Sequence, residues 1–240
     1  LNTIIAEQLL LFKVSVDARI KKGNSKDEAI LKELQQLISQ SKAIRFEGNG
    51  YGEEWVKEAK KRGLSNLKNT PEALTVWGRK EVIDLFDKMS VLHPAEMAAR
   101  QEVEYEKYVM NRKIEANVAI DMARNTILPA AISYQNFLLE NIMGLEEVFG
   151  KDSKSMSIAQ RDILKRTSTL VNDLYDSIKR LRENKEKVNA RKSTEKVAEG
   201  YGDIISPLTE ELGEICTKME GLIDNEIWPL PKFQELLFTR

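Results

Sequence analysis

The sequence predicts an all-α fold: a long antiparallel three-helix bundle preceded by a smaller, loop-rich helical part. Composition is the first reason. Only 12 Gly and 6 Pro punctuate 240 residues, against 42% hydrophobic and 31% charged side chains. That balance favours long helices around a real core. Spacing is the second reason. From residue 94 onward, apolar residues recur at steps of three and four, the period of a helix face. Punctuation is the third. Start and stop signals crowd the first 92 residues and thin out afterwards, which divides the chain into a 1–92 part and a 93–240 part.

Ile4, Ile5, Leu9, Leu10 and Phe12 predict a first helix over about 3–21, ended by Gly23-Asn24. The chain opens inside this period and without an initiator Met, so a segment of a longer polypeptide is expected. Ser25 with Glu28 fits a capping box. It starts a second helix to about 41 whose face is Ile30, Leu31, Leu34, Leu37 and Ile38. Residues 43–46 read as short and extended, and a helix over about 53–62 ends at Gly63. Thr70 as N-cap with Pro71 at the first helical position opens short helices near 71–76 and 79–90.

Pro94 opens a helix expected to reach about 143, with Tyr105, Tyr108, Ile114, Val118, Met122, Leu128, Ala131, Leu138 and Ile142 as its stripe. Pro129 lies inside it and is expected to kink it. Ser157 with Gln160 reads as a second capping box and starts a helix over about 157–190, carrying Ile163, Thr167, Leu170, Leu174, Ile178 and Leu181. A third helix, about 194–227, carries Val197 through Ile227, is weakened early by Gly200, Gly202 and Pro207, and stops at Trp228-Pro229. The first of these three is longer than the others. Its excess, about 94–109, is expected to pack against the 1–92 part.

Several function classes lose support at this level. The net charge of −1 gives no global field for nucleic acid or an anionic membrane. No apolar run approaches the ~20 residues that span a bilayer. The single cysteine, Cys216, fits a reducing, cytoplasmic setting. It lies on an apolar stripe with Met219 and reads as a core thiol. His93, the single histidine, has no ligand-spaced neighbours and reads as a surface or capping residue. The basic run Lys179–Lys192 lacks interleaved aromatics and reads as a solvated face. The C-terminal WPLPKFQELLF is too apolar to be left in water, through Phe233, Leu236, Leu237 and Phe238. It must fold back or dock on a partner.

FEGNGYGEEW, residues 46–55, raises the question of a phosphate loop. Its glycines run G-x-G-x-G, not the dinucleotide spacing, and Glu53 and Glu54 stand where a phosphate loop carries Lys and Ser or Thr. Those carboxylates complement a helix N-terminus and would repel phosphate. The favoured reading is a turn with residues at positive φ, entering a helix anchored by Trp55.

The same stretch, followed by KKRGLSNLKNTPEAL (60–74), resembles the C-terminal region of type III glutamine synthetases. The opening LNTIIAEQL and the ending EIWPLPKFQELLF resemble the two ends of that region. Gly52 stands where the family carries Ser, His93 stands near another Ser, and Phe233 replaces a Tyr. The resemblance implies a parent enzyme that joins ammonia to glutamate with ATP and Mg²⁺ or Mn²⁺, in a two-ring homo-oligomer. It also implies that the catalytic and metal-binding residues precede Leu1. No catalytic, cofactor-binding or metal residue is therefore assigned to this chain. Gly48, Asn49, Gly50, Tyr51, Trp55, Trp228, Pro229, Pro231 and Phe233 are assigned structural or interaction roles. The expected partners are the upstream catalytic domain and other subunits, and the expected task is assembly, scaffolding or regulation. Two other readings stay open: an independent helical interaction module whose groove takes a partner helix, and a nucleotide-binding enzyme using the Gly48–Gly52 loop.

Overall fold

The computed structural model describes residues 1–237, apart from the side chains of Phe233 and Gln234. The described residues are helical with no strand, so the molecule is all-α. The chain divides into two compact units, Leu1–Glu104 and Tyr105–Arg240.

The first unit is built from short helices. α1 (Asn2–Lys21) ends where Gly23 takes φ 94°, a conformation that costs glycine little. α2 (Lys26–Gln40) is capped by Ser25, whose hydroxyl accepts from the Glu28 N–H. Residues Ser41–Ile44 form a 3₁₀ turn where residues 43–46 are expected to be extended, and Arg45 after it is extended. α3 (Glu53–Lys61) ends at Gly63, with φ 73°. α4 (Thr70–Leu74) is capped by Asn69, which accepts from the Glu72 N–H. The expected cap at Thr70 is thus displaced by one residue, because Asn places its acceptor as well as Thr does. A 3₁₀ turn (Thr75–Gly78) leads into α5 (Lys80–Lys88). α1 packs on α2 and on α5, and Lys88 bridges to Glu7 at 2.9 Å. The unit takes in residues 94–104 of α6 (Pro94–Met122). There Met97 is buried, and Gln101 donates to the Leu74 carbonyl at 2.7 Å.

In the second unit α6 runs through a π turn (Ala123–Ile127) into α7 (Leu128–Phe149). A short turn and α8 (Ser153–Met156) precede α9 (Ile158–Asn189). The expected capping box at Ser157 is absent: its hydroxyl donates to the Ser153 carbonyl and accepts from Arg161. α10 (Thr194–Gly200), a second π turn (Tyr201–Ile205) and α11 (Ser206–Glu220) follow, then α12 (Phe233–Leu236). α9 packs against both α7 and α11, consistent with the expected bundle. α11 stops at Glu220, seven residues before the expected end at 227, and turns carry the chain on to Trp228.

Each π turn ends two residues before a proline in the first turn of the next helix, Pro129 or Pro207. The Leu128 N–H reaches back five residues to Ala123, and the Ser206 N–H to Tyr201. Widening the ladder by one residue relieves the clash of a proline ring with the preceding turn. At Pro129, where a kink is expected, the helix carries a π turn.

The core of this unit includes Ala116, Ile120, Ala123 and Ile127 from α6 and its π turn. α9 contributes Leu174, Ile178 and Leu181, and the last helices contribute Tyr201, Ile205, Leu212 and Met219. Ile114, Val118 and Met122 were expected in the stripe but are exposed. Small alanines take the inward positions, which lets the helices approach closely. Gly200 makes one such approach: a Cβ there would lie 2.7 Å from Val188 and 2.8 Å from Arg191.

Candidate functional site

The glycine stretch folds as a turn closed by its own side chains. Asn49 Oδ1 accepts from the Tyr51 N–H at 3.0 Å, and its carbonyl accepts from the Gly52 N–H at 3.1 Å. None of Gly48, Gly50 and Gly52 has positive φ, which corrects that expectation. Close packing is the reason for glycine at Gly48, where a Cβ would lie 2.7 Å from the Phe46 ring. That ring packs against Trp55 at a tilt of 33°, with centroids 4.4 Å apart. Arg62 lies 5.9 Å from both ring centroids and donates to the Arg45 carbonyl at 2.7 Å. Glu58 pairs with Arg62 at 2.7 Å, and this hydrogen bond holds the Glu58 carboxyl below its usual range. Glu53 and Glu54 occupy the first turn of α3. Tyr51 is fully exposed at the tip. The arrangement is a rigid aromatic staple with one projecting tyrosine.

The α1–α2 hairpin is inverted. Its seam closes on Glu33, only 6% exposed, whose carboxylate accepts from Ser15 at 2.7 Å and Arg19 at 3.0 Å. Arg19 also donates to Gln36 at 2.7 Å. The Ser15 hydrogen bond and the Arg19 guanidinium hold the Glu33 carboxyl below its ordinary value of 4.5. Val16 and Ala29 are buried with Glu33, and Phe12, Ile30 and Leu37 are half-buried, while other large apolar residues point outward: Leu9 is 64% exposed, Leu31 57% and Ile38 56%, with Ile5, Leu10 and Leu34 exposed as well. The apolar face expected of α2 is thus divided, with Ile30 and Leu37 half-buried and Leu31, Leu34 and Ile38 exposed. Ser15 and Arg19, one turn apart on α1, were a signal for the polar seam that apolar periodicity concealed.

His93 accepts the first backbone bond of α6 from Met97, and its own N–H donates to Glu96 at 2.8 Å. Its ring lies 2.8 Å from Asp87, which raises the imidazole above its usual 6.5. It is therefore a helix-start residue on an ion pair. Cys216 packs against the second unit's core, and burial pushes its thiol up to about 11. Such a thiol is a poor nucleophile at neutral pH.

Near the C-terminus, Trp228 is buried in the core, with Ile227 and Leu230 packed against it. Lys232 anchors the segment by donating to the Ile223 carbonyl at 2.7 Å. Pro229 and Pro231 are exposed, as are Leu236 and Leu237. The side chain of Phe233 and all of Phe238 lie outside the described residues. Among the described residues, no helix is long and apolar enough to cross a membrane, and no group of three or more His, Cys, Asp or Glu could hold a metal ion.

Comparison with known proteins adds a family. A model described as the glutamine synthetase C-terminal domain matches residues 29–146. A glutamine synthetase of Bacteroides fragilis (strain YCH46) is 39% identical over 241 residues, covering 100% of this chain and 33% of its own. A type-3 glutamine synthetase of Dictyostelium discoideum is 32% identical over 242 residues, with the same coverage of 100% and 33%. A glutamine synthetase of Butyrivibrio fibrisolvens is 26% identical over 217 residues, 90% of this chain and 31% of its own. The chain spans about a third of the length of these curated relatives.

Proposed function

The chain belongs to the glutamine synthetase C-terminal family, and on that premise we propose that it is a non-catalytic scaffold for a glutamate–ammonia ligase. In this reading the ATP- and divalent-metal-dependent chemistry lies in the preceding part of a polypeptide as long as the relatives. The 240 residues serve to hold that part, and the subunits it forms, in place.

The observation that carries the reading is the inverted hairpin. A helix pair that buries Glu33 and exposes Ile5, Leu9, Leu10, Leu31, Leu34 and Ile38 has its apolar face turned to a partner. The occupant assigned here is the preceding part of the same polypeptide, because the relatives are three times as long as this chain. Tyr51, at the tip of the aromatic staple, is a second contact toward that part or toward a neighbouring subunit.

The test is glutamine formation from glutamate, ammonia, ATP and Mg²⁺. It is measured on the 240-residue chain, on a polypeptide extended upstream to the relatives' length, and on the extended form with Leu9→Glu and Leu34→Glu. The expected result is activity in the extended form alone, with loss of activity or assembly in the double variant. Activity in the short chain would overturn the reading, and an unaffected double variant would remove the hairpin from it. Light scattering on the short chain separates a second copy as occupant, since dimers that Leu9→Glu dissociates would assign the face to self-association.

A further inference from the structure

A groove in the second unit runs between the α6–α7 helix and the middle of α9, with a volume of about 360 Å³. Arg124 enters it from the π turn, and Leu128 and Ile178 line its apolar part. Tyr175, 61% exposed, stands at one end. Lys179 and Arg182 follow Tyr175 at steps of four and three along one face of α9.

Among the described residues, no ion pair ties down the basic side chains of this groove. Elsewhere in the unit, cations pair across helices: Arg161 with Glu146, and Arg180 with Glu211. Arg124, Lys179 and Arg182 have no such partner among the described residues. Glu183 and Glu186 also line the groove. They stand four residues after Lys179 and Arg182, the weaker order for a helix pair, and neither is bonded to them. Positive charge extends beyond the groove. Lys185 is bonded to Asn117 of α6, and burial together with repulsion from Arg182 and Lys113 lowers its pKa below 10.5. A concave surface with unpaired guanidinium groups, an exposed aromatic ring and an apolar floor is suited to an anion that also carries a planar ring.

We propose that this groove binds a nucleoside phosphate, with Arg124, Lys179 and Arg182 holding the phosphates and Tyr175 stacking on the base. The volume is in the range of small-ligand sites. Guanidinium groups grip phosphate oxygens through paired N–H donors, and an aromatic face takes any base without selecting its sequence. Glu183 and Glu186 supply acceptors suited to ribose hydroxyls. The site lies within the second unit and owes nothing to the Gly48–Gly52 turn or to the apolar hairpin of the first.

The test is calorimetric titration of the full 240-residue chain with ATP, pyrophosphate and adenosine at low salt. ATP is expected to bind saturably with Kd on the order of 0.1 mM, pyrophosphate more weakly and adenosine weakest. Arg124→Ala and Arg182→Ala are each expected to weaken ATP about tenfold. Tyr175→Ala is expected to weaken ATP and leave pyrophosphate unchanged. All three positions are exposed, so circular dichroism should show the variants folded like the parent. No saturable ATP binding would overturn the proposal, as would ATP binding that Arg124→Ala and Arg182→Ala leave intact. Equal binding of ATP and pyrophosphate, unaffected by Tyr175→Ala, would reject the nucleoside and leave a bare anion site.

Discussion

In the second unit Leu174 and Leu181 are fully buried, and the core around them is mostly apolar, from Ala116 to Met219, with Thr167 and Ser177 of α9 buried beside them. In the first unit the α1–α2 seam closes on Glu33, while leucines and isoleucines of both helices face water. The two regions have similar helix-forming sequence and opposite distributions of side chains. The second unit can stabilise itself by burial. The first spends its apolar residues outward, which a chain does when another surface is meant to cover them. Stability should therefore respond to truncation of leucines in the second unit and not in the first, while docking responds the other way.

The largest expected effect tests that asymmetry. Leu174→Ala or Leu181→Ala should cost about 2–5 kcal/mol in urea denaturation. Leu9→Ala or Leu31→Ala should change stability by less than about 0.5 kcal/mol. Comparable losses in both regions would erase the contrast. Gly200→Ala comes next, since its Cβ would press on Val188 and Arg191. A loss of about 1–3 kcal/mol is expected, and a neutral outcome would mean that the α9–α10 junction yields easily.

Glu33→Gln sharpens the polar side of the comparison. The folded-state pKa of Glu33 is lowered, so its contribution is present above about 4.5 and is lost as pH falls through the folded value. Protection factors of the α1–α2 amides, with the intrinsic pH dependence of exchange removed, should fall in acid in the parent and show a flatter pH dependence in Glu33→Gln. Ser90→Gly should be smaller and of the opposite sign. Ser90 holds φ 54° after α5, so glycine should stabilise by about 0.5–1 kcal/mol.

The smallest effect is at His93. Its folded pKa is raised by Asp87, so its contribution is full below about 6.5 and fades as pH rises through the folded value. An NMR titration should place the ring above 6.5, and Asp87→Asn should bring it down.

The helices, their glycine stops at Gly23 and Gly63 and most of the α9 and α11 stripes were legible in the sequence, because period and backbone punctuation are local properties. The first unit's seam was not legible. Periodicity reports which face is apolar, and it cannot say whether that face meets this chain or another one. The π turns were missed for a related reason. Pro129 and Pro207 announced a break, but whether it takes the form of a π turn depends on the packing around it. At the glycine stretch the turn was legible and its cause was not. The need for glycine at Gly48 comes from the Phe46 ring, two residues earlier but held by Trp55 and Arg62 from α3 and its C-terminal end. The Arg124–Arg182 groove is assembled from two helices far apart in the sequence, so the basic run of α9 alone read as a solvated face.

The most direct measurement is hydroxyl-radical footprinting of Ile5, Leu9, Leu31 and Ile38 in the 240-residue chain and in a polypeptide extended upstream to the relatives' length. The account predicts strong labelling in the short chain and protection of these four in the extended one, with Leu174 and Leu181 protected in both. Equal labelling of the four residues in both polypeptides would contradict it.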